Sequence, residues 1–430
     1  MRSATARVVT SVLALLGIVT PGLSAASSRF GEVVNVAGAS LTTVQGCPLD
    51  RLTVMACTGA SCRPIPFQVD QHDAAGNWIL DHGPGANADQ ASGILGPGDA
   101  LLFMAADAGD RVQSIGPPGS PAVEISVRDP LSDSTHWAYL VAFPDRAPRS
   151  ELSYVTYDAA HDRARGRRIS LGFFQGMPAY LAIAGAGAGE ERNLLDRLKV
   201  RATATFLWGL IRFKRDESDL RTQFVGWRQG PIRIVRRQKQ WVRIGWGIRS
   251  PAFGSYTYFY PDFAELPVSL KLNFPPRYFF GKITVRAIID FRELSDWSLL
   301  APSLPRPIAI NTGKSELNSA MNDVADTWFA LLGPELNLLQ TLGRSPSLTT
   351  VRQRLLYNDS PRPNPPESVA GERPGVGFVL DRWDRVGAGW HQLQSTSHAL
   401  PPALDVRAFV AARAVPLEVS VRPLGDPSPK

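Results

Sequence analysis

The sequence contains few cysteines and histidines, and it has no long apolar segment beyond residue 26. Three cysteines and six histidines occur among 430 residues. None of the histidines, at positions 72, 82, 136, 161, 391 and 398, lies in a recognisable hydrolase or zinc-protease motif. No later segment approaches the length that spans a bilayer. The body of the chain therefore shows neither a familiar catalytic histidine signature nor a membrane-spanning helix.

Motifs that bind nucleotides are incomplete as well. A G-x-G-x-x-G pattern that starts at Gly185 requires glycine at position 190, where Glu190 stands. The segment NTGKS lacks the first glycine of a P-loop, because that position is Ile308. A G-x-S-x-G nucleophile motif is also absent. The sequence thus gives no support for dinucleotide binding, P-loop chemistry or a serine-hydrolase elbow.

The first 26 residues have the pattern of a secretory signal peptide. Arg2 and Arg7 precede the apolar run VVTSVLALLGIV, and small residues at 24–26 offer a cleavage point. The apolar run is too short to cross a bilayer comfortably. We expect residues 1–26 to be removed and the protein to be periplasmic or extracellular, not transmembrane after cleavage. A retained anchor is the alternative.

The cysteines lie close together, at Cys47, Cys57 and Cys62. In an oxidising compartment one pair is expected to form a disulfide. Cys57 and Cys62 flank the turn-like tetrapeptide TGAS, and a hairpin would bring them face to face, so we predict a Cys57–Cys62 bond. Cys47–Cys57 is the alternative, because sequence alone does not settle connectivity. The spacing does not match paired C-x-x-C zinc ligands.

Composition favours strands and turns over helices. Glycine (37 residues) and proline (35 residues) are plentiful, and long amphipathic runs are few. We predict an all-β chain with an N-terminal β-sandwich at 27–147, a linker at 148–168, a larger antiparallel β-sandwich at 169–422 and a disordered tail at 423–430. The segment SELNSAMNDVAD, residues 315–326, is the helix candidate.

Charge is distributed unevenly along the chain. The net charge is +7. Residues 30–162 contain 16 acidic and 6 basic residues, whereas residues 192–249 contain 15 basic and 4 acidic residues. The split predicts two surfaces with opposite electrostatic preferences.

Two phrases resemble a pattern from periplasmic proteins of polysaccharide-degrading bacteria. Residues 65–78, IPFQVDQHDAAGNW, resemble its strand and acidic turn, and residues 230–237, GPIRIVRR, resemble its later "GPvR" strand. In those proteins a small β-sandwich precedes a galactose-mutarotase-like supersandwich. The resemblance implies that architecture and a link to polysaccharides. Ala74 and Ala75 replace aspartates of the turn, and no catalytic residue of mutarotases or lyases matches this chain.

The acidic turn raises the question of an ion site. Asp70, Asp73 and Asn77 supply oxygens around Gly76, and calcium takes six to eight such ligands. His72 and the missing glutamate depart from an EF-hand loop. Asp, Asn and Gly also form tight turns by bonding their own backbone. We favour a strand that ends in such a turn, with a calcium site at Asp70, Asp73 and Asn77 as the alternative and no other cofactor.

The later basic strands offer the best ligand-binding face. The segment PIRIVRRQKQWVRIGW places its basic residues on one side, at Arg233, Arg237, Lys239 and Arg243, and apolar ones on the other, at Ile232, Ile234, Val242, Ile244 and Trp246. Arginine binds carboxylates in a fork, and tryptophan stacks on sugar faces. The predicted ligand-binding residues are Trp227, Arg233, Arg237, Lys239, Trp241 and Arg243.

The predicted function is binding of an acidic glycan or lipid headgroup through this basic face. Nucleic acid needs the same features, but the signal peptide argues against it. A polysaccharide lyase or sugar epimerase is the first alternative, since the segment 153–168 contains Tyr154, Tyr157, His161 and several arginines. We favour a solvated connector for that segment, so whether the chain is an enzyme stays open. A structural envelope protein without a small ligand is the second alternative.

Overall fold

The computed structural model describes residues 29–183, 191–206, 210–245, 248–292, 294–310, 326–358 and 375–424. The predicted signal peptide, Trp246 and all but the last residue of the helix candidate lie outside the described residues, as do residues 425–430 of the predicted tail. The described residues form five antiparallel sheets, which confirms the all-β prediction. No helix among them is long and apolar enough to cross a membrane.

Two sheets form a first sandwich. The three-stranded sheet has the order β1-β5-β4, with β1 at Val33–Ala37, β4 at Phe67–Asp70 and β5 at Ala100–Met104. The five-stranded sheet has the order β28-β6-β7-β2-β3, with β2 at Leu52–Thr58, β3 at Ser61–Pro64, β6 at Ala122–Asp129, β7 at Ser134–Ala142 and β28 at Glu418–Pro423. Side chains of both sheets, including Val36, Phe103, Val54 and Leu140, share one buried core.

The C-terminal strand β28 completes this sandwich. It pairs with β6, and Arg422 and Arg128 bind Glu124 and Glu418 across the pair. An unpaired edge strand exposes a row of backbone N–H and C=O groups, which β28 covers. Residues that we expected in the second domain therefore belong to the first sandwich, because hydrogen bonding across the edge does not depend on distance along the chain.

Cys57 and Cys62 are opposite each other on β2 and β3 and form a disulfide, which confirms the predicted pair. Cys47 is free. A disulfide points to a compartment outside the reducing cytoplasm.

Three further sheets form the larger part of the fold. One has the order β12-β11-β10-β9-β8, with β8 at Thr156–Asp158, β9 at Arg163–Arg165, β10 at Ile169–Phe174, β11 at Met177–Ile183 and β12 at Arg192–Asn193. A second has the order β14-β13-β20-β26-β25, with β13 at Leu195–Phe206, β14 at Ile211–Arg215, β20 at Phe280–Phe291, β25 at Arg352–Asn358 and β26 at Gly375–Asp381.

The third is a ten-stranded sheet with the path β15-β16-β18-β19-β27-β24-β23-β21-β22, and β17 pairs with β16. Its strands are β15 at Leu220–Gln229, β16 at Ile234–Gly245, β17 at Ile248–Arg249, β18 at Phe253–Phe259, β19 at Phe263–Leu272, β21 at Ser298–Leu300, β22 at Ile308–Ala309, β23 at Trp328–Leu332, β24 at Asn337–Arg344 and β27 at Gly389–Leu400. Short 3-10 turns are at Gly38–Ser40, Thr42–Val44, Leu49–Arg51, Ala88–Gln90, Ala105–Asp107, Glu217–Asp219, Pro276–Tyr278, Pro346–Leu348 and Trp383–Arg385.

The three large sheets share one buried core, to which the ten-stranded sheet contributes one of its faces. Leu171, Phe259, Phe329 and Phe378 belong to this core. The segment 148–168, which we expected to be a linker, supplies β8 and β9, and Val155 and Ala164 are buried in the same core. β8 and β9 are each three residues long, which is too short for a period-two pattern to be recognised in the sequence.

The opposite face of the ten-stranded sheet, which carries Tyr258, Glu265, Thr396 and Thr341, is called the pocket face below. One α-helix in the described residues, α1 at Val406–Arg413, packs beside this face against Trp328 and Leu339. Asp405 caps it by accepting hydrogen bonds from the backbone N–H groups of residues 407 and 408. This helix was not predicted, although Asp405 and the apolar spacing of residues 406, 409 and 410 signal it.

A buried ionic contact joins the first sandwich to the ten-stranded sheet. The Arg233 Nε donates to Asp70 at 2.8 Å, and both residues are less than 5% exposed. Arg228 lies 3.3 Å from the same carboxylate. Gln68 donates to Asp70 at 2.7 Å and accepts from the Arg233 backbone N–H at 3.0 Å. A side chain at position 230 would meet Gln68 at 2.0 Å, which explains Gly230.

Replacement of Asp70 tests this contact. Asp70→Ala leaves the guanidinium of Arg233 buried without its carboxylate, so we expect the free energy of unfolding to fall by about 3–5 kcal/mol. Asp81→Ala is the matched control, because Asp81 is 4.0 Å from Arg228 with a side chain 39% exposed, and we expect a loss of about 0–1 kcal/mol. Denaturant unfolding measures both. Equal losses in the two variants would contradict the structural role of Asp70.

Candidate functional site

The predicted basic face divides into buried and accessible residues. Arg233 is only 4% exposed and lies between Asp70 and the Tyr260 hydroxyl, to which its Nη1 donates at 2.9 Å. Arg236, on the face that we predicted to be apolar, is 2% exposed and donates to Asp162 at 2.7 Å. The prediction of Arg233 as a ligand-binding residue is therefore wrong, because Arg233 is buried against a carboxylate of the first sandwich.

Other predicted residues lie apart from one another. The ring of Trp227 packs against two other rings, those of His82 and Tyr157, at centroid distances of 4.4 Å and 4.5 Å. Arg243 is exposed and pairs with Asp219 at 2.9 Å. Trp241, farther along β16 than Lys239, lies under the guanidinium of Arg249. The six predicted residues thus do not form one site.

The acidic turn is a structural turn in this fold. Asp73 Oδ1 accepts from the backbone N–H groups of Ala75 at 2.9 Å and Asn77 at 2.8 Å, and its Oδ2 accepts from the Asn87 amide at 3.1 Å. Asp70 faces Arg233 instead, and Asn77 Oδ1 accepts from Arg237 at 2.7 Å.

This geometry contradicts the calcium alternative at Asp70, Asp73 and Asn77. Their oxygens accept from nitrogen donors and do not converge on one point. Across the described ranges no group of three or more His, Cys, Asp or Glu side chains is arranged to hold a metal ion. The stretch 65–78 therefore ends in a hydrogen-bonded turn, whose role is to position Asn77 and Trp78.

The tyrosines and cations of the segment 153–168 are used in separate contacts. Tyr154 donates to Asp107 at 2.8 Å, and Tyr157 donates to Asp162. Asp262 binds the neighbouring pair Arg167 and Arg168. These contacts attach the segment to the rest of the fold and do not assemble a catalytic group.

An open pocket of about 280 Å³ lies on the pocket face, where three strands meet the turn of the first sandwich. Its lining residues are Gly76, Trp78, Tyr256, Tyr258, Glu265, Pro267, Ser269, Gln392 and Gln394. Register explains why they meet: Tyr258 is opposite Glu265 between β18 and β19, and Ser269 is opposite Gln392 between β19 and β27. Alternate residues of neighbouring strands therefore share one face.

Aromatic rings form one side of the pocket. The rings of Tyr256 and Tyr258 are nearly parallel, with centroids 5.8 Å apart and an angle of 7°. Trp78 meets Tyr258 edge-on, and its Nε1 donates to the Tyr258 hydroxyl at 2.8 Å. The ring of His72 stacks on that of Trp78, with the ring centroids 3.7 Å apart. The turn of the first sandwich thus fixes the indole against strand β18.

Glu265 is the acidic group of the pocket. Burial raises the pKa of its carboxyl above the ordinary value, and the charges of Arg233 and Arg413 and a hydrogen bond with Gln394 offset part of that effect. A carboxyl with a raised pKa that lies beside amide groups and opens into a pocket is a candidate for proton transfer.

Two cations from the predicted set flank the aromatic side. Arg237 is opposite Tyr256 in the register of β16 and β18, and its guanidinium lies 5.5 Å from that ring centre. Lys239 is exposed and is opposite Gly254, the next position on the same face. Gly254 in turn is opposite Ser269. Arg237 and Lys239 are therefore the predicted ligand-binding residues that the structure places beside this pocket.

A second pocket of about 360 Å³ adjoins the first. Gln392 and Gln394 line both, and the other lining residues are Thr341, Gly343, Arg344, Ser345 and Thr396. The two pockets thus form a row across β18, β19, β27 and β24.

Sequence reasoning missed most of the pocket residues. Trp78 lies in the segment 65–78 but was not among the predicted ligand-binding residues. The prediction also did not include Tyr256, Tyr258, Glu265 and Gln394. A signal exists in the period-two spacing of tyrosines in SYTYFY, residues 255–260, and of glutamines in QLQ, residues 392–394. Which strands become neighbours is not visible in these patterns.

Comparisons with known proteins do not identify a family. No family model matches the chain, and no curated protein matches it. An alpha-mannosidase from Enterococcus faecalis V583 is similar in structure, with a TM-score of 0.48, 11% identity, and coverage of 91% of this chain and 44% of the mannosidase. The protein HI1317 has a TM-score of 0.29 and 8% identity, with coverage of 54% of this chain and 96% of its own. This chain spans less than half of the mannosidase, and we base no conclusion about function on either similarity.

Proposed function

We propose that this protein binds a carbohydrate in the pocket between Trp78, Tyr256, Tyr258 and Glu265. The observation that carries the proposal is the arrangement of an aromatic side opposite a polar side in one open pocket. Pyranose rings present C–H groups on their faces and hydroxyls at their edges. Aromatic rings cover the former, and the amides of Gln392 and Gln394 with the Glu265 carboxyl bond the latter.

The bound sugar is acidic in this proposal. Arg237 and Lys239 lie on the same face as the pocket and beside Tyr256. A guanidinium or ammonium group recognises a uronate carboxylate or a sulfate. The adjoining pocket at Gln392 and Gln394 supports a ligand longer than one sugar ring.

Titration of the mature chain with acidic and neutral oligosaccharides tests the binding proposal. Tyr256→Ala removes one stacking ring, so we expect affinity to fall roughly tenfold or more. Lys239→Gln is expected to weaken binding of oligogalacturonides and to leave neutral galacto-oligosaccharides unaffected. Isothermal titration calorimetry measures both effects.

Matched controls are Tyr278→Ala and Lys282→Gln, which change exposed residues outside the pocket lining. Both are expected to bind as the parent protein does. A parent protein that binds none of the acidic or neutral glycans, or a Tyr256→Ala variant with unchanged affinity, would overturn the proposal.

A lyase or epimerase activity is the second candidate, and the raised pKa of Glu265 favours it. Proton abstraction next to a sugar carboxylate needs a base and a cation that neutralises the carboxylate. Glu265 supplies the former and Arg237 or Lys239 the latter. Tyr256 and Tyr258 are weak candidates for the base, because burial raises their pKa values above 10.

Unfolding at several pH values tests the state of Glu265. Its folded pKa is raised, so ionisation opposes folding as pH rises from its ordinary value of 4.5 through the folded pKa. The stability of Glu265→Gln relative to the parent is therefore expected to increase with pH over that window. Glu151→Gln, at an exposed position, is the control and should show no such trend. A stability difference that does not change with pH would argue against a perturbed Glu265.

A third function, a structural envelope role without a small ligand, gains no support from the buried contacts of Arg233 and Arg236, because those contacts join parts of this chain to each other.

A further inference from the structure

Large apolar side chains are exposed at one end of the ten-stranded sheet and of the sheet that contains β13 and β20. They are Leu210, Ile211, Phe274, Tyr278, Phe279 and Trp390. Leu210 is 83% exposed and Trp390 is 66% exposed. Single exposed apolar residues are ordinary, but a cluster of this size marks an interaction surface. We call this cluster the aromatic rim.

Strand register and ring contacts bring the rim together. Ile211 and Phe280 are both opposite Phe206, on its two sides. Phe279 precedes Phe280, and its ring meets that of Phe274 edge-on at 5.1 Å. Trp390 is opposite Lys271, close to the end of β19 and the beginning of β27. The rim therefore draws on hairpin ends that are distant in sequence.

Basic residues surround the rim. Exposed cations are at Arg212, Lys214, Lys271, Arg277 and Lys282. The contributing segments 197–215, 266–289 and 385–404 contain no aspartate or glutamate. Asp384 and Asp405 flank the last segment in sequence, and the Asp384 carboxylate accepts from the backbone N–H of Ile283. The rim is thus both apolar and cationic.

We propose that the aromatic rim docks onto an anionic lipid bilayer. Aromatic side chains favour the boundary between headgroups and acyl chains, and lysine and arginine bind the anionic headgroups. The cations of the rim complement the charge of such a surface. Lys271 and Trp390 are the next pair on the same face of β19 and β27 after the pocket residues Ser269 and Gln392, so the rim adjoins the pocket. The proposal does not depend on sugar binding, because no rim residue lines the pocket.

Sedimentation with vesicles tests the proposal. The mature chain is expected to bind mixed phosphatidylcholine–phosphatidylglycerol vesicles at low salt, to bind pure phosphatidylcholine vesicles weakly, and to be released by high salt. Neutralising two cations, Lys271→Gln with Arg277→Gln, should lower partitioning roughly 25-fold, since each cation near the surface contributes about fivefold. Arg146→Gln with Arg306→Gln, two exposed cations outside the rim, is the matched control and should have little effect.

The apolar contribution has its own variants. Tyr278→Ala with Phe279→Ala is expected to abolish most vesicle binding, whereas Phe174→Ala should not, although Phe174 is 68% exposed and Tyr278 is 66% exposed. The fluorescence change on vesicle binding should decrease in Trp390→Phe. Thermal unfolding confirms that each variant is folded.

Three outcomes would overturn the proposal. They are equal binding to anionic and zwitterionic vesicles, vesicle binding that survives loss of Tyr278 and Phe279, and a self-association in sedimentation velocity that the same rim variants abolish. The last would assign the rim to a second copy of the chain.

Discussion

The buried contact between Asp70 and Arg233 is the interaction on which the candidate site depends. A carboxylate and a guanidinium that leave water lose hydration free energy, and only close pairing with further hydrogen bonds offsets the loss. Here Gln68 donates to Asp70 and Arg233 donates to the Tyr260 hydroxyl, and Arg228 places a second cation 3.3 Å from the carboxylate. The geometry is therefore restrictive, and it holds the first sandwich against the ten-stranded sheet in one orientation.

That orientation creates the pocket from two parts of the chain. The turn that follows Asp70 carries Trp78 to strand β18, where the indole bonds Tyr258. The same turn holds Arg237 through Asn77. The strands alone would present tyrosines and glutamines on an open sheet. With the turn in place, the aromatic residues and Glu265 share a pocket in which burial raises the pKa of the carboxyl.

The uneven charge of the sequence has two outcomes in the fold. Some of the opposite charges meet internally, as at Asp70 with Arg233 and Asp162 with Arg236. Others lie nearer the surface, at the half-buried Arg237 and the exposed Lys239 beside the pocket and at the cations of the aromatic rim. Counting charges along the chain predicted that acidic and basic surfaces exist, but it did not separate the cations that stabilise the fold from those that are free to bind a ligand.

The sequence by itself determined the strand content and the hairpin disulfide. It also singled out the two segments, 65–78 and 230–237, that contact each other in the fold. These are local properties: period-two alternation, turn residues and a six-residue hairpin between Cys57 and Cys62 depend on near neighbours. It also indicated cationic residues on β16, of which Arg237 and Lys239 lie beside the pocket. Only the tertiary structure decided that β28 joins the first sandwich, that Arg233 is buried and that Tyr258 faces Glu265. Each of these depends on which distant strands pair, because edge hydrogen bonds and desolvated ion pairs form between segments whose separation the sequence pattern does not encode.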